Sequence, residues 1–137
     1  MRVLVCGGRD FSDEHTLNTE LNDLLWRRGR FAHVNAQATA IIHGTQRGAD
    51  MMAGAFAIAC GLEEIRFKPD WNKHGKAAGP IRNAQMLAEG KPDLVVAFPG
   101  NSGTADMVTK ARRAGVEVIE VPCHVNRRSS CRKTCSS

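Results

Sequence analysis

A chain of 137 residues, 42% hydrophobic and 24% charged, has room for one globular domain with one core and no more. No run approaches the roughly 18 apolar residues that span a bilayer, and Met1-Arg2 followed by only Val3 to Cys6 is too short for a secretory leader; a cytoplasmic location is expected, with no membrane partner. The net charge of +5 belongs to the C-terminus: Arg127, Arg128, Arg132 and Lys133 lie in the last fifteen residues, where no acid accompanies them, and the rest of the chain carries +1.

Strands and helices alternate along the chain. Residues 2–6 read as a strand. Ser12 and Asp13 then offer N-cap oxygens to a helix with Leu17, Leu21, Leu24 and Leu25 at helical spacing, stopping near Gly29. Residues 31–37 read as loop. A second strand, 39–43, closes at Gly44, and a helix of small residues runs from Gly48 to Cys60. Residues 62–67 make a third strand. The polar segment 69–78, with Asp70, Trp71, Lys73, His74 and Lys76, reads as loop. A helix follows from about Gly79 to Glu89, and Pro80 is well placed near its first turn. The fourth strand is 94–98, the last helix 104–114 and the fifth strand 116–121, stopped by Pro122. Residues 1–122 are thus one domain, and residues 123–137 a basic, flexible tail.

Five cysteines are present. Cys6 and Cys60 fall in apolar patterns and are expected to be small buried residues. Cys123, His124, Cys131 and Cys135 could supply four ligands, but no Cys-x-x-Cys knuckle is among them, so no metal is expected, and no cofactor.

Strands one, two and four are apolar without clean alternation, the mark of a parallel sheet covered on both faces. The fold class is therefore α/β, a Rossmann-like sheet of about five parallel strands. Right-handed crossovers bring every strand's carboxyl end to one edge, where ligands of such sheets bind. Three glycine-bearing turns meet there: Gly7-Gly8-Arg9-Asp10, Gly44-Thr45-Gln46-Arg47-Gly48-Ala49-Asp50, and Pro99-Gly100-Asn101-Ser102-Gly103-Thr104. Glycine at such a rim lets a ligand approach the backbone. The last turn opens a helix, so its N–H groups suit a phosphate. Neither a Gly-x-Gly-x-x-Gly after the first strand nor a Walker A motif is present, which argues against a dinucleotide dehydrogenase or a P-loop kinase.

Individual residues carry paired readings. Arg9 either contacts phosphate or ribose with Asp10 holding it, or the two form a loop salt bridge. Asp50, opening its helix, is expected to cap it more than to hold a ribose hydroxyl. Trp71 either stacks on a base or covers the sheet edge. His74 could be a base, though lone loop histidines usually are not. Arg82, in the first turn of its helix, suffers from the dipole unless an anion relieves it.

Gly7-Gly8-Arg9-Asp10-Phe11, His43-Gly44-x-x-x-Gly48-Ala49-Asp50, Asp70-Trp71, Ala78-Gly79-Pro80-x-Arg82-Asn83-x-x-Met86 and Phe98-Pro99-Gly100-x-x-Gly103-Thr104-Ala105 resemble, in order over residues 1–122, the YspA-type, YpsA-related branch of the SLOG superfamily. The superfamily also includes the cytokinin-activating "Lonely Guy" phosphoribohydrolases and the DNA-processing protein A fold. The resemblance implies a Rossmann-like nucleotide-binding domain. In the phosphoribohydrolases, an arginine ahead of a Pro-Gly-Gly-x-Gly-Thr-x-x-Glu motif helps cleave the N-glycosidic bond of a nucleoside monophosphate. Arg82 matches that arginine, and Pro99, Gly100, Gly103 and Thr104 match the phosphate-binding turn. Asn101 replaces the second glycine, and Met107 replaces the catalytic glutamate. Methionine cannot move a proton or stabilise an oxocarbenium-like centre by charge. Asp106 is adjacent, but one residue turns a helix by about 100°, so it is expected to point elsewhere.

The leading expectation is a domain that binds a nucleotide or nucleotide-derived phosphorylated ligand, as sensor, sequestering or accessory module. Phosphate would sit on Gly100, Asn101, Ser102, Gly103 and Thr104 with Arg82 and Asn83 beside it, while Gly7, Gly8 and Arg9 contact ribose or a second phosphate. The rival is an N-glycosidic hydrolase using Asp10, Asp50 or Asp106. A nucleic-acid partner held through the tail is less favoured, and related folds often associate through helices, which leaves a homo-oligomer open.

Overall fold

The computed structural model describes residues 1–123. Five strands, β1 (Arg2–Cys6), β2 (Ala40–His43), β3 (Glu63–Arg66), β4 (Leu94–Ala97) and β5 (Glu117–Glu120), form one sheet. Its order is β3-β2-β1-β4-β5, and every pairing is parallel. The chain builds outward from β1 in one direction, then returns to add β4 on its other side. The strand order therefore reverses between β1 and β4, where open α/β sheets form their ligand crevice.

Five α-helices connect the strands: α1 (Glu14–Trp26), α2 (Ala49–Ala59), α3 (Trp71–His74), α4 (Ala78–Gly90) and α5 (Ser102–Arg113). Successive strand residues face opposite sides, so the central strands feed two cores. Val3, Val5, Ile41, Leu94 and Val96 pack with Leu17, Leu21, Leu24, Ala53 and Phe56 on the α1–α2 side. Leu4, Cys6, Ile42, Val95 and Ala97 pack with Met86, Met107, Val108 and Ala111 on the α4–α5 side. The edge strands β3 and β5 are half-exposed and begin and end on charged residues, Glu63, Arg66, Glu117 and Glu120, which discourages edge-to-edge pairing with another sheet.

Several local expectations are corrected. Of the two candidate caps, Ser12 and Asp13, it is Asp13 that caps α1, accepting from the Thr16 N–H at 3.1 Å. That helix ends at Trp26 on a left-handed Arg27 before Gly29 is reached. Phe31, read as loop, closes a 3₁₀ turn and is fully buried. The segment 69–78 is not loop: Asp70 caps the short α3 through the Lys73 N–H, and a 3₁₀ turn (Gly75–Ala77) runs directly into α4. Cys60 is exposed where burial was expected, because α2 ends at Ala59 and leaves it on the capping turn. Among the described residues no helix is long and apolar enough to cross a membrane. The Cys/His set considered for metal and the basic tail lie outside the described residues, apart from Cys123.

Candidate functional site

A cleft of about 1010 Å³ opens at the carboxyl edge of the sheet. The β1 loop contributes Gly7, Gly8 and Arg9; the β2 loop contributes Gly44, Thr45, Gln46 and Arg47, backed by Asp50. Trp71 and Lys76 come from the α3 region, Arg82 and Asn83 from α4, and Asn101, Ser102, Gly103, Thr104 and Asp106 from the start of α5. Most of the expected residues are therefore brought together. Gly48, Pro99, Gly100, Asp10 and His74 are not part of the lining.

Most of the rim glycines are also required by the protein's own packing. Gly8 N–H donates to the Pro99 carbonyl at 2.9 Å, and the Gly8 carbonyl accepts from Phe11 and Ala49. A Cβ on Gly8 would lie 3.0 Å from the Gly100 Cα, one on Gly7 2.6 Å from the Ala49 Cβ, and one on Gly44 2.5 Å from Arg82 Nη1. On Gly48 it would meet the carbonyls of Gly8 and Arg9, and on Gly100 the Thr104 hydroxyl and Gly8 nitrogen. At these positions the close approach is made by the protein's own loops, which the glycines let interlock. Only at Gly103, among the rim glycines, would a Cβ meet open space.

Arg82 is the charged residue at the floor. It sits in the second turn of α4, because that helix begins at Ala78, so the dipole penalty expected of a first-turn cation does not apply. The residue is only 9% exposed. Nε donates to Asn83 Oδ1 at 3.0 Å and Nη1 to the Gly44 carbonyl. Nη2 makes no hydrogen bond to the described residues. Since no buried side-chain nitrogen among them lacks a partner, Nη2 is not sealed from solvent, and Arg82 lines the cleft. Burial pulls the guanidinium's pKa down, against the opposing charge of Asp50. Asn83 ties this arginine to α5, donating to the Gly103 carbonyl at 3.2 Å and to Asp106 at 3.0 Å.

Asp50 does not cap α2. Its Oδ2 instead accepts from the Gly44 and Gln46 N–H groups at 3.0 and 3.3 Å, filling an anion-binding concavity of the β2 loop with the protein's own carboxylate. Burial pushes its pKa up, only partly offset by the Gln46 hydrogen bond and the Arg82 charge. The folded state thus holds that proton more tightly than the unfolded chain. Wild-type stability relative to Asp50→Asn should fall as pH rises from the ordinary aspartate range through the raised value. Urea unfolding of both proteins across that range measures the slope; a gap that grows in the wild type's favour with rising pH contradicts it.

Asp10 bonds Arg47, not Arg9, in a highly exposed pair at 3.1 Å. Arg9 is exposed and makes no ion pair among the described residues. Asp106, expected to face away, lines the cleft, while Met107 is fully buried against the sheet. The phase of α5 is set by Met107, Val108 and Ala111 packing inward, which leaves Gly103, Asp106 and Lys110 on the rim face. Burial raises the Asp106 pKa, but bonds from Lys110 (2.6 Å) and Asn83 outweigh it, and the net shift is downward, keeping a carboxylate.

At the start of α5 the first helical N–H groups have no intrahelical acceptor, and Asn101 supplies no side-chain cap. The first backbone bond is Ala105 to the Asn101 carbonyl. Sequence reasoning gave no cleft role to Lys68, Lys76, Arg47, Gln46 and Thr45. The lysines beside Trp71 were the available signal. Altogether five cations line the cleft against two carboxylates, and both carboxylates are already bonded within the protein.

This fold and its rim define a parallel α/β domain whose ligand edge is an electropositive crevice. The chain belongs to the YspA, cpYpsA-related SLOG family, whose model matches residues 1–74. It is 36% identical over 125 residues to the Gene 61 protein of Mycobacterium phage D29, covering 86% of this chain and 94% of that one. Its fold is similar to DNA processing protein A from Streptococcus pneumoniae, with a TM-score of 0.70 at 18% identity; the match covers 98% of this chain and 54% of that protein.

Proposed function

We propose that the cleft binds a nucleotide or nucleotide-derived phosphorylated ligand, and that the domain acts as a sensor, sequestering protein or accessory module. The observation that carries this reading is Arg82: a buried cation without an ion pair among the described residues, with Nη2 left for the cleft. It stands beside the uncapped start of α5, so a phosphate would meet both backbone N–H groups and a fixed guanidinium. Trp71, 54% exposed and lining the same cleft, would be the base platform. Gly8 and Arg9 would face ribose or a second phosphate.

Ligand-observed NMR against nucleoside monophosphates, NAD, ADP-ribose and cyclic nucleotides, followed over hours, tests this directly. Line broadening without new signals is expected. Silence across the whole panel overturns it.

A hydrolytic reading is favoured by one observation, the ionised Asp106 on the cleft wall. Asp10 lies outside the lining and Asp50 is spent on the β2 loop, so Asp106 would be the group that orients or deprotonates water. Free base or ribose phosphate released by the wild type, and abolished in Asp106→Asn with binding retained, would establish that reading. DNA is less favoured as a partner, since the basic residues suggesting it lie in the tail and residues 1–122 carry only +1.

A further inference from the structure

We propose that His43, which never reaches the cleft, is a positioning residue: the lone pair on its Nδ1 fixes the β2 loop and, through that loop, the guanidinium of Arg82. The proposal rests on the binding reading above for its functional consequence, not for its geometry.

His43 ends β2 and is fully buried. The Thr45 N–H lies 3.1 Å from Nδ1, and Nε2 lies 2.7 Å from Glu64 Oε2. A backbone N–H can only donate, so Nδ1 must be the acceptor nitrogen. The ring proton then sits on Nε2 and is donated to Glu64. The Glu64 carboxylate is kept ionised chiefly by that hydrogen bond, helped by Arg66 Nε at 3.0 Å. The helix α2 leaves space for this pair at Gly54, where a Cβ would press on His43 Nε2 and Glu64 Oε2.

The loop needs such a restraint. Thr45 has φ +64°, the left-handed region that a β-branched residue adopts only when its surroundings enforce it. Three consecutive N–H groups are held by two buried side chains: Gly44 and Gln46 by Asp50, Thr45 by His43. That set turns the Gly44 carbonyl toward Arg82 Nη1. Losing the central bond frees the Thr45 peptide to leave its strained conformation, and the carbonyl orienting the guanidinium moves with it.

Two isosteric variants separate the bonds. In His43→Asn the side-chain oxygen occupies the Nδ1 position and still accepts from Thr45, but cannot reach Glu64. In His43→Gln the amide N–H reaches Glu64, but no acceptor stands at the δ position. The full chain is used, with AMP as the binding probe. Expected for the wild type is an imidazole protonated on Nε2 alone in long-range 1H–15N spectra, and a Thr45 amide protected from exchange. His43→Asn should keep that protection and bind AMP within about twofold of wild type. His43→Gln should lose the protection and bind about tenfold more weakly, the scale of one hydrogen bond. A merely structural role would lower the stability of both variants and leave their folded-state affinities equal.

A ring protonated on Nδ1, or equal Thr45 exchange in the two variants, overturns the proposal. Should wild type bind neither AMP nor any other nucleotide, the binding reading alone fails, and the tautomer and Thr45 exchange still decide whether His43 holds the loop. If a variant does not fold, the wild-type tautomer decides by itself.

Discussion

Gly48→Ala should cost the fold about 2–6 kcal/mol, a large part of the roughly 5–15 kcal/mol that holds a domain together. Gly48 has φ +89°, which is unfavourable for any side chain. Its missing Cβ is also the space into which the carbonyls of Gly8 and Arg9 pack. Alanine therefore combines backbone strain with overpacking, and each alone costs about 1–3 kcal/mol. Neither neighbour can yield easily, because the Gly8 carbonyl already accepts from Phe11 and Ala49. The control is Gly103→Ala. A Cβ there meets nothing within 4 Å and the backbone is helical, so stability should be unchanged or raised by up to about 1 kcal/mol. Urea unfolding of the two variants measures the contrast. Equal stabilities would show that the rim glycines do not interlock the loops.

Arg82→Met should weaken AMP binding about ten- to a hundredfold, the range expected for a hydrogen bond to a charged group. Methionine keeps an unbranched apolar stem as far as the Nε position while removing the charge and all five donors. The Gly44 carbonyl and Asn83 Oδ1 lose their partner, and Asp50 loses a charge that lowers its pKa. Some loss of stability will therefore accompany the loss of affinity, and binding must be measured on fully folded protein. Arg82→Lys should fail nearly as badly, since one ammonium cannot serve Asn83, Gly44 and a ligand in the planar arrangement of a guanidinium. Folded Arg82→Met with wild-type affinity would remove Arg82 from the site.

The layered sheet was legible because the apolar runs in β1, β2 and β4 are short, bounded by glycine and separated by helical patterns. Once the strands were parallel, the handedness of crossovers placed the rim, and with it most of the lining. What was not legible depended on side-chain direction. Asp50 was assigned to its helix because capping is local in sequence, whereas its partners, Gly44 and Gln46, are presented by a loop folding back over it. The expectation that Asp106 faces away follows from aligning Met107 with the family's cleft-facing glutamate. The spacing of Met107, Val108 and Ala111 already marked the buried face of α5 and could have reversed that reading. His43 stood in the recognised motif without a role, since nothing in its sequence neighbourhood announces Glu64, twenty-one residues on. Glycines at a rim suggest room for a ligand; only three-dimensional packing shows that the protein's own loops take up much of it.

The central claim is that phosphate lands where α5 begins. Amide 1H–15N spectra of the labelled protein titrated with AMP test it most directly. Expected are Ser102, Gly103 and Thr104 amides and the Arg82 side chain moving together along one binding curve, with the amide shifts in Arg82→Met needing about ten- to a hundredfold more AMP. Saturable AMP binding that leaves those signals still while shifting others, or no binding by AMP or any other phosphorylated nucleotide, would contradict it.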